Sequence, residues 1–283
     1  MATIEYMPAR LTPKETEELR QAVACLEGAS FAQRLTDAVG RPVGMLSRAM
    51  PQSARRVIAH VSETALRGAL KLALRTLDLN ASAKPANRAH RLAAAASGAV
   101  GGALGLAALP FELPISTTIL LRSIAEIARE EGEDLSAPEA AFACVEVFAL
   151  GGQGGGESAF ESGYFAVRAA LAKSVTDSAR FVAAQGVAAL PAPVVARLIS
   201  QIAARFGIVV SEKVAAQAAP ILGAIGGAAV NAAFADHFQT LARGHFIVRR
   251  LERQHGASVV AFEYQRLQGE RSREYAESRR AAS

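Results

Sequence analysis

The sequence contains no tryptophan, and aromatic residues make up only 6% of its 283 residues. Hydrophobic residues nevertheless account for 51%, so the core has to be filled mostly by Ala, Leu, Val and Gly. Side chains this small favour helices that approach one another closely. Because we also find no convincing strand pairs, the sequence predicts an all-α multi-helix bundle.

Cysteine is equally scarce. Cys25 and Cys144 are the only two, and both fall inside apolar helical patterns. Their distance in sequence argues against a disulfide framework and is typical of buried thiols in a reduced, cytoplasmic protein. Residues 15–20 are polar and acidic rather than apolar, so we expect no cleaved signal peptide.

Recognisable catalytic and metal-binding motifs are missing as well. No His-Glu-x-x-His, Cys-x-x-Cys or Gly-x-Ser-x-Gly pattern occurs. The glycines between Gly151 and Gly156 have the spacing of a phosphate loop, but Glu157 stands at the lysine position and would repel phosphate. We therefore expect no cofactor and no metal ion, and interpret this run as a flexible connection.

Acidic residues are outnumbered by basic ones, and the formal net charge is +5. The excess is concentrated at residues 53–91 and 243–280. Such regions either attract the phosphates of lipids or nucleic acid, or are ordinary solvated helix faces. The arginine-rich tail has few interleaved aromatics and no helix-turn-helix pattern, so an anionic membrane surface is favoured over nucleic acid.

Helix-start signals organise the chain. Thr12, Pro13 and Glu15 predict a capping box with proline at the first helical position, and Ser136 with Pro138 predicts a second helix start of this kind. Further helices are expected at residues 53–78, 85–109, 114–131, 157–184, 191–206 and 220–255. The predicted organisation is an N-terminal helical region at 1–80 that shares one core with a helical domain at 81–265, followed by a charged tail at 266–283 that is a frayed helix or disordered.

Two stretches are apolar all round. Residues 92–121 contain a single charge, Glu112, and residues 214–235 contain none. Each carries the pattern Gly-Ala-x-Gly-Gly-Ala, at residues 98–103 and 223–228, whose glycines four apart let another helix approach closely. Such segments are buried in or near a core, form a peripheral hairpin, or span a membrane. Their low transfer free energy, and the interruption at Pro110, Glu112 and Pro114, favour close-packed helices.

Three parts of the chain resemble the EcsC family of bacterial proteins. They are residues 113–129 with 132–135, residues 144–151, and residues 223–239 with 242–252. The resemblance covers roughly residues 85–264 and implies a protein on the cytoplasmic side of the membrane, linked to an ABC transporter or another envelope process. It carries over no catalytic residues.

The candidates for chemistry are polar side chains in apolar surroundings, because burying such groups without partners costs about 1–3 kcal/mol. The four we select are Glu112, Asp236, His237 and His245. A buried hydrogen-bond ladder along the helix from Asn231 to Glu252 would explain them structurally. A metal site is the alternative, but the eight-residue spacing of His237 and His245 requires the helix to break at Gly244, and Glu126 or Glu146 would have to contribute.

The leading functional hypothesis is a non-enzymatic accessory or adaptor protein at the cytoplasmic face of the inner membrane. Its expected partners are an anionic membrane surface or a membrane protein such as an ABC transporter. The alternative is an enzyme, hydrolytic or metal-dependent, with a buried site around the four candidates. The sequence does not predict an oligomeric state.

Overall fold

The computed structural model describes residues 11–40, 42–76, 108–151, 163–186, 190–218 and 223–281. These residues form helices and no strands, which confirms the predicted all-α fold. The helices are α1 (Pro13–Leu26), α2 (Phe31–Val39), α3 (Val43–Arg48), α4 (Gln52–Thr76), α5 (Leu109–Glu130), α6 (Pro138–Leu150), α7 (Tyr164–Gln185), α8 (Pro193–Gln217), α9 (Gly223–His255) and α10 (Ala257–Ala281). Residues 85–107 of the helix expected at 85–109, with its glycine segment at 98–103, lie outside the described residues, and so does the glycine run after Gly151.

The two predicted helix starts have different outcomes. At α1, Thr12 Oγ1 accepts a hydrogen bond from the Glu15 amide at 3.3 Å, and the Glu15 side chain accepts one from the Thr12 amide at 2.7 Å. This capping box confirms the prediction. The prediction at Ser136 is wrong by one residue: the N-cap of α6 is Ala137, because the Ser136 amide and hydroxyl both donate to Asp134 instead.

Helix α5 begins at Leu109 rather than at Pro114. Pro110 stands at the start of the helix, where its missing N–H costs nothing. Pro114 lies inside the helix and removes a hydrogen bond to the carbonyl of Pro110, which is exposed and can be hydrated. Pro110 and Pro114 therefore lie in one continuous helix, and Ser116, inside this helix, donates to the Leu113 carbonyl.

Helix α8 is longer than the sequence predicts, and helix α9 runs without the break considered at Gly244. Helix α8 continues past Phe206 to Gln217, with Ser211 donating to the Gly207 carbonyl at 2.7 Å. Helix α9 is continuous through Gly244 and ends where Gly256 adopts a φ of 86°. The charged tail is helical as far as Ala281.

The described residues separate into two compact units. The larger unit, Ala29–Ala242, is built around α6, in which every residue from Ala140 to Leu150 is buried. Helix α6 contacts α4, α5, α7 and α8. Phenylalanine rings from four helices meet in this core at centroid separations of 5.0 to 6.1 Å, namely Phe31, Phe148, Phe206, Phe234 and Phe238. Phenylalanine thus supplies the large side chains that tryptophan does not.

The smaller unit combines the described residues up to Gly28 with those from Arg243 onward. It contains α1, the last turns of α9, and α10. Polar contacts tie α1 to the C-terminal helices: Glu15 to His255 at 2.8 Å, Glu18 to Arg250 at 2.9 Å, and the Tyr264 hydroxyl, which donates to Glu27 at 3.0 Å. The predicted boundary at residues 80 and 81 lies outside the described residues.

Candidate functional site

Glu112 is buried in the larger unit and has two partners on other helices. Its Oε1 atom accepts hydrogen bonds from Lys213 Nζ at 2.5 Å and from Asn231 Nδ2 at 2.9 Å. Lys213 lies near the end of α8 and Asn231 near the start of α9, and all three side chains are buried. Glu112 therefore forms a buried ion pair with Lys213, and Asn231 supplies a further hydrogen bond to the same oxygen.

Lys213 is the functional-site neighbour that the sequence reasoning missed. Burial lowers its pKa, while the charge and hydrogen bond of Glu112 act in the opposite direction. The ring of Phe234 adds a cation–π contact at 4.8 Å from Nζ to the centroid. The sequence did contain a signal for Lys213. Glu212 and Lys213 are the charged residues in the apolar run at 206–216, as Glu112 is in the apolar run at 92–121.

Asp236 lies in a different environment. Its Oδ2 atom is 3.5 Å from Nη1 of Arg34, on α2. Both side chains are partly exposed, at 45% and 33%, so the pair contributes little to stability.

His237 is buried among aromatic rings. Its ring centroid lies 5.2 Å from that of Phe31 and 5.3 Å from that of Phe238. Neither ring nitrogen has a hydrogen-bonding partner among the described residues. Burial, assisted by the charge of Arg34 and opposed by the nearby Gly151 backbone, lowers the pKa of His237 to about 3. The ring is neutral at physiological pH.

His245 belongs to the smaller unit, where its fully buried ring lies edge-on to that of Phe246 at 4.9 Å. The four candidates thus have separate surroundings: an ion pair for Glu112, a surface pair for Asp236, and aromatic neighbours for the two histidines. Helix α9 does not break at Gly244, so the condition under which both histidines would share one metal ion is not met. Within the described ranges, no group of three or more His, Cys, Asp or Glu side chains is arranged to hold a metal ion.

The opposite pKa shifts of His237 and Glu212 predict opposite contributions to stability. Between pH 3 and 6.5 the unfolded chain binds the His237 proton more tightly, so this group makes the protein more stable as pH rises. Burial raises the pKa of Glu212 from 4.5 to about 7, against the Ala32 backbone and the Arg48 charge. The folded state then holds the extra proton, and this contribution is lost as pH rises from 4.5 to 7.

We expect the free energy of unfolding of Glu212→Gln, measured relative to wild type, to rise by about 1–3 kcal/mol between pH 4.5 and pH 8. His237→Gln should instead remove a loss of stability that wild type shows below pH 6.5. Urea unfolding across this pH range measures both. Stability curves that run parallel to the wild-type curve for either variant would contradict the corresponding assignment.

A surface in the larger unit combines exposed apolar and basic side chains. Met45 and Leu46 on α3 are 67% and 42% exposed, whereas Val43 on the same short helix is fully buried. Ile208 on α8 is also exposed, and Arg48 and Arg55 lie beside it. We call these five exposed residues the α3 surface, because it places three large apolar side chains near two cations.

A groove of about 280 Å³ opens within this surface, between α3, the first turns of α4 and the middle of α8. Arg48 and Arg55 line it together with Ser47 and Ser211. The Arg55 guanidinium donates to the backbone carbonyl of Arg48, which anchors it at the groove. The groove is therefore cationic along one side.

One helix in the described part of the chain, α8, is long and apolar enough to cross a bilayer by length and composition. Core helices of soluble proteins pass the same test, and 44% of the apolar stretch of α8 is buried within the fold. Helix α8 also carries the buried Lys213 and contacts α2, α3, α4, α6 and α7. The length and composition of α8 are therefore weak evidence for a membrane span.

The EcsC protein family model matches residues 5–251, nearly nine-tenths of the chain. The chain belongs to the EcsC family. The EcsC match starts far upstream of residue 85, where the resemblance in the sequence begins, so α1 to α4 are part of the family's sequence pattern. It also includes both the Glu112–Lys213–Asn231 cluster and the α3 surface. No curated protein and no solved structure matches the chain.

Proposed function

We propose that this EcsC-family protein is a non-enzymatic accessory or adaptor that acts at the cytoplasmic face of the bacterial membrane, in transport or envelope processes. The observation that supports this proposal is the α3 surface. Met45 and Leu46 project from a short helix beside two arginines, which is the combination that interfacial segments use to insert apolar groups below anionic headgroups.

Charge around this surface favours an anionic membrane. Arg48 and Arg55 are exposed, and neither has a carboxylate within ion-pair distance in the described part of the chain. Each basic residue near an anionic membrane contributes about 1 kcal/mol of attraction at low salt.

We expect the protein to co-sediment with vesicles that contain phosphatidylglycerol, and less with pure phosphatidylcholine vesicles. Met45→Ser with Leu46→Ser should weaken the binding at least about tenfold, because two large side chains no longer leave water. Raising the salt concentration should weaken it further.

Phe262→Ser is the matched control, because Phe262 is 68% exposed and lies on α10 in the smaller unit. It should bind vesicles like wild type. The proposal is contradicted if wild type does not bind anionic vesicles at low salt, or if the control loses as much binding as the α3 variant.

A further inference from the structure

The groove beside α3 has two chemically different sides. Small residues on α4 and α8 create it, namely Ala59, Ala203, Ala204 and Gly207. Ile58 and Ile208 make part of its lining apolar, and Arg48 and Arg55 make the remainder cationic. A volume of about 280 Å³ is enough for a headgroup-sized ligand and too small for a whole lipid. An amphiphile with one anionic end fits both sides.

The two arginines are placed to receive an anion. The hydrogen bond from Arg55 to the Arg48 carbonyl uses one of the guanidinium nitrogens, and no other described residue accepts a hydrogen bond from the remaining donors of the group. Planar guanidinium groups suit phosphate oxygens because two parallel N–H groups can engage them. Glu212, which feels the charge of Arg48, is largely buried and does not line the groove. No carboxylate is among the described residues that line the groove, so its lining carries two positive charges.

The two serines refine the ligand class. Ser47 donates its hydroxyl proton to the Gly44 carbonyl at 3.1 Å, and Ser211 donates to the Gly207 carbonyl at 2.7 Å. Their oxygens are left as acceptors, because a hydroxyl has two lone pairs. Acceptors beside a phosphate site suit a headgroup that carries hydroxyl donors.

We infer that the groove binds the headgroup of one anionic phospholipid with a hydroxylated headgroup, such as phosphatidylglycerol. Arg48 and Arg55 bind the phosphate, Ser47 and Ser211 accept from the headgroup hydroxyls, and Ile58 with Ile208 contacts the beginning of the acyl region. This inference rests on the proposed function, since it names the lipid that the protein would bind at the membrane surface. Met45 and Leu46 would then enter the bilayer next to the bound lipid.

The test uses the full chain and dihexanoyl phosphatidylglycerol below its micelle concentration, with binding followed by calorimetry. We expect saturable binding that weakens about tenfold or more in Arg48→Gln and in Arg55→Gln. Arg56→Gln is the charge-matched control, because Arg56 is exposed on α4 but does not line the groove; its affinity should stay within about twofold of wild type. Circular dichroism and the melting temperature verify that each variant is folded.

Two further ligands test whether the groove recognises the lipid headgroup or only a phosphate group. Dihexanoyl phosphatidylcholine and inorganic phosphate should both bind at least about tenfold more weakly than the phosphatidylglycerol probe. Equal binding of inorganic phosphate would overturn the lipid assignment, and so would an equal loss in Arg56→Gln or a lack of saturable binding.

The vesicle experiment distinguishes failure of this site from failure of the proposed function. If wild type binds anionic vesicles while the short-chain lipid shows no saturable binding, the groove is not a lipid site and the membrane proposal stands. If the short-chain lipid binds and vesicles do not, the groove assignment stands and the membrane proposal is contradicted.

Discussion

Replacing Lys213 by Met lowers the free energy of unfolding by about 3–5 kcal/mol, the cost expected when one partner of a buried ion pair is removed. Methionine preserves the length and most of the apolar stem, so little volume is lost. The penalty comes from Glu112, which stays buried with Asn231 as its remaining described polar contact. Urea unfolding at neutral pH measures the loss of stability.

A second substitution separates charge from volume. In the double variant Lys213→Met with Glu112→Gln, neither position carries a charge and the glutamine oxygen can still accept from Asn231. Replacing both members of a buried pair is often nearly neutral, so we expect at least about half of the lost stability to return. A double variant as unstable as the single one would show that the ion pair does not explain the loss.

Lys173→Met is the matched control for this experiment. Lys173 pairs with Asp177 one turn away at 3.0 Å, but its side chain is 87% exposed. An exposed pair of this kind contributes about 0.5 kcal/mol or less. The same chemical change should therefore have almost no effect, and the difference between the two lysines isolates the effect of burial.

Gly244→Ala should destabilise the smaller unit by about 1–3 kcal/mol, despite the higher helix propensity of alanine. A Cβ at this position would lie 2.7 Å from Cγ of Leu26 and 3.0 Å from the carbonyl oxygen of Ala22, both on α1. The side chain of Leu26 can rotate away, whereas a backbone oxygen moves only if the helix moves. Helix α1 would have to shift from α9, and the loss should appear in chemical denaturation.

Gly269→Ala is the control for helix propensity. Gly269 also lies in a helix of the smaller unit, and nothing comes within 4 Å of a Cβ placed there. This variant should be more stable than wild type by about 0.5–1 kcal/mol, since alanine loses less backbone entropy in a helix. If Gly244→Ala is as stable as Gly269→Ala, the close approach of α1 to α9 is not the reason for glycine at 244.

Much of the helical architecture is predictable because its signals are local. The capping box at Thr12 and Glu15 acts within one turn, because the side chain of each residue accepts a hydrogen bond from the backbone amide of the other. Predictions based on a weaker local signal failed where another local group competed, as when Asp134 took both donors of Ser136. The helix start predicted at Pro114 was wrong because the helix begins at Leu109 and accommodates Pro114 in its interior.

The candidate site was predictable in part. An isolated carboxylate in an apolar stretch pointed correctly to Glu112 as a buried residue. The grouping of Glu112 with Asp236, His237 and His245 into one catalytic site stays a prediction, while the contacts described for each residue are with other partners. Neither Lys213 as the partner of Glu112 nor the α3 surface was anticipated, because both depend on which helices lie side by side.

The sequence by itself determined the all-α class and the positions of most helices, because propensity, capping and apolar periodicity operate over a few residues. Membership in the EcsC family follows from the sequence match over residues 5–251. The tertiary structure decided what each polar group faces. Lys213 and Asn231 lie 101 and 119 residues from Glu112, and no local pattern specifies a hydrogen bond over that separation. The exposure of Met45 and the close approach of α1 to Gly244 also depend on which helices pack together when the chain folds.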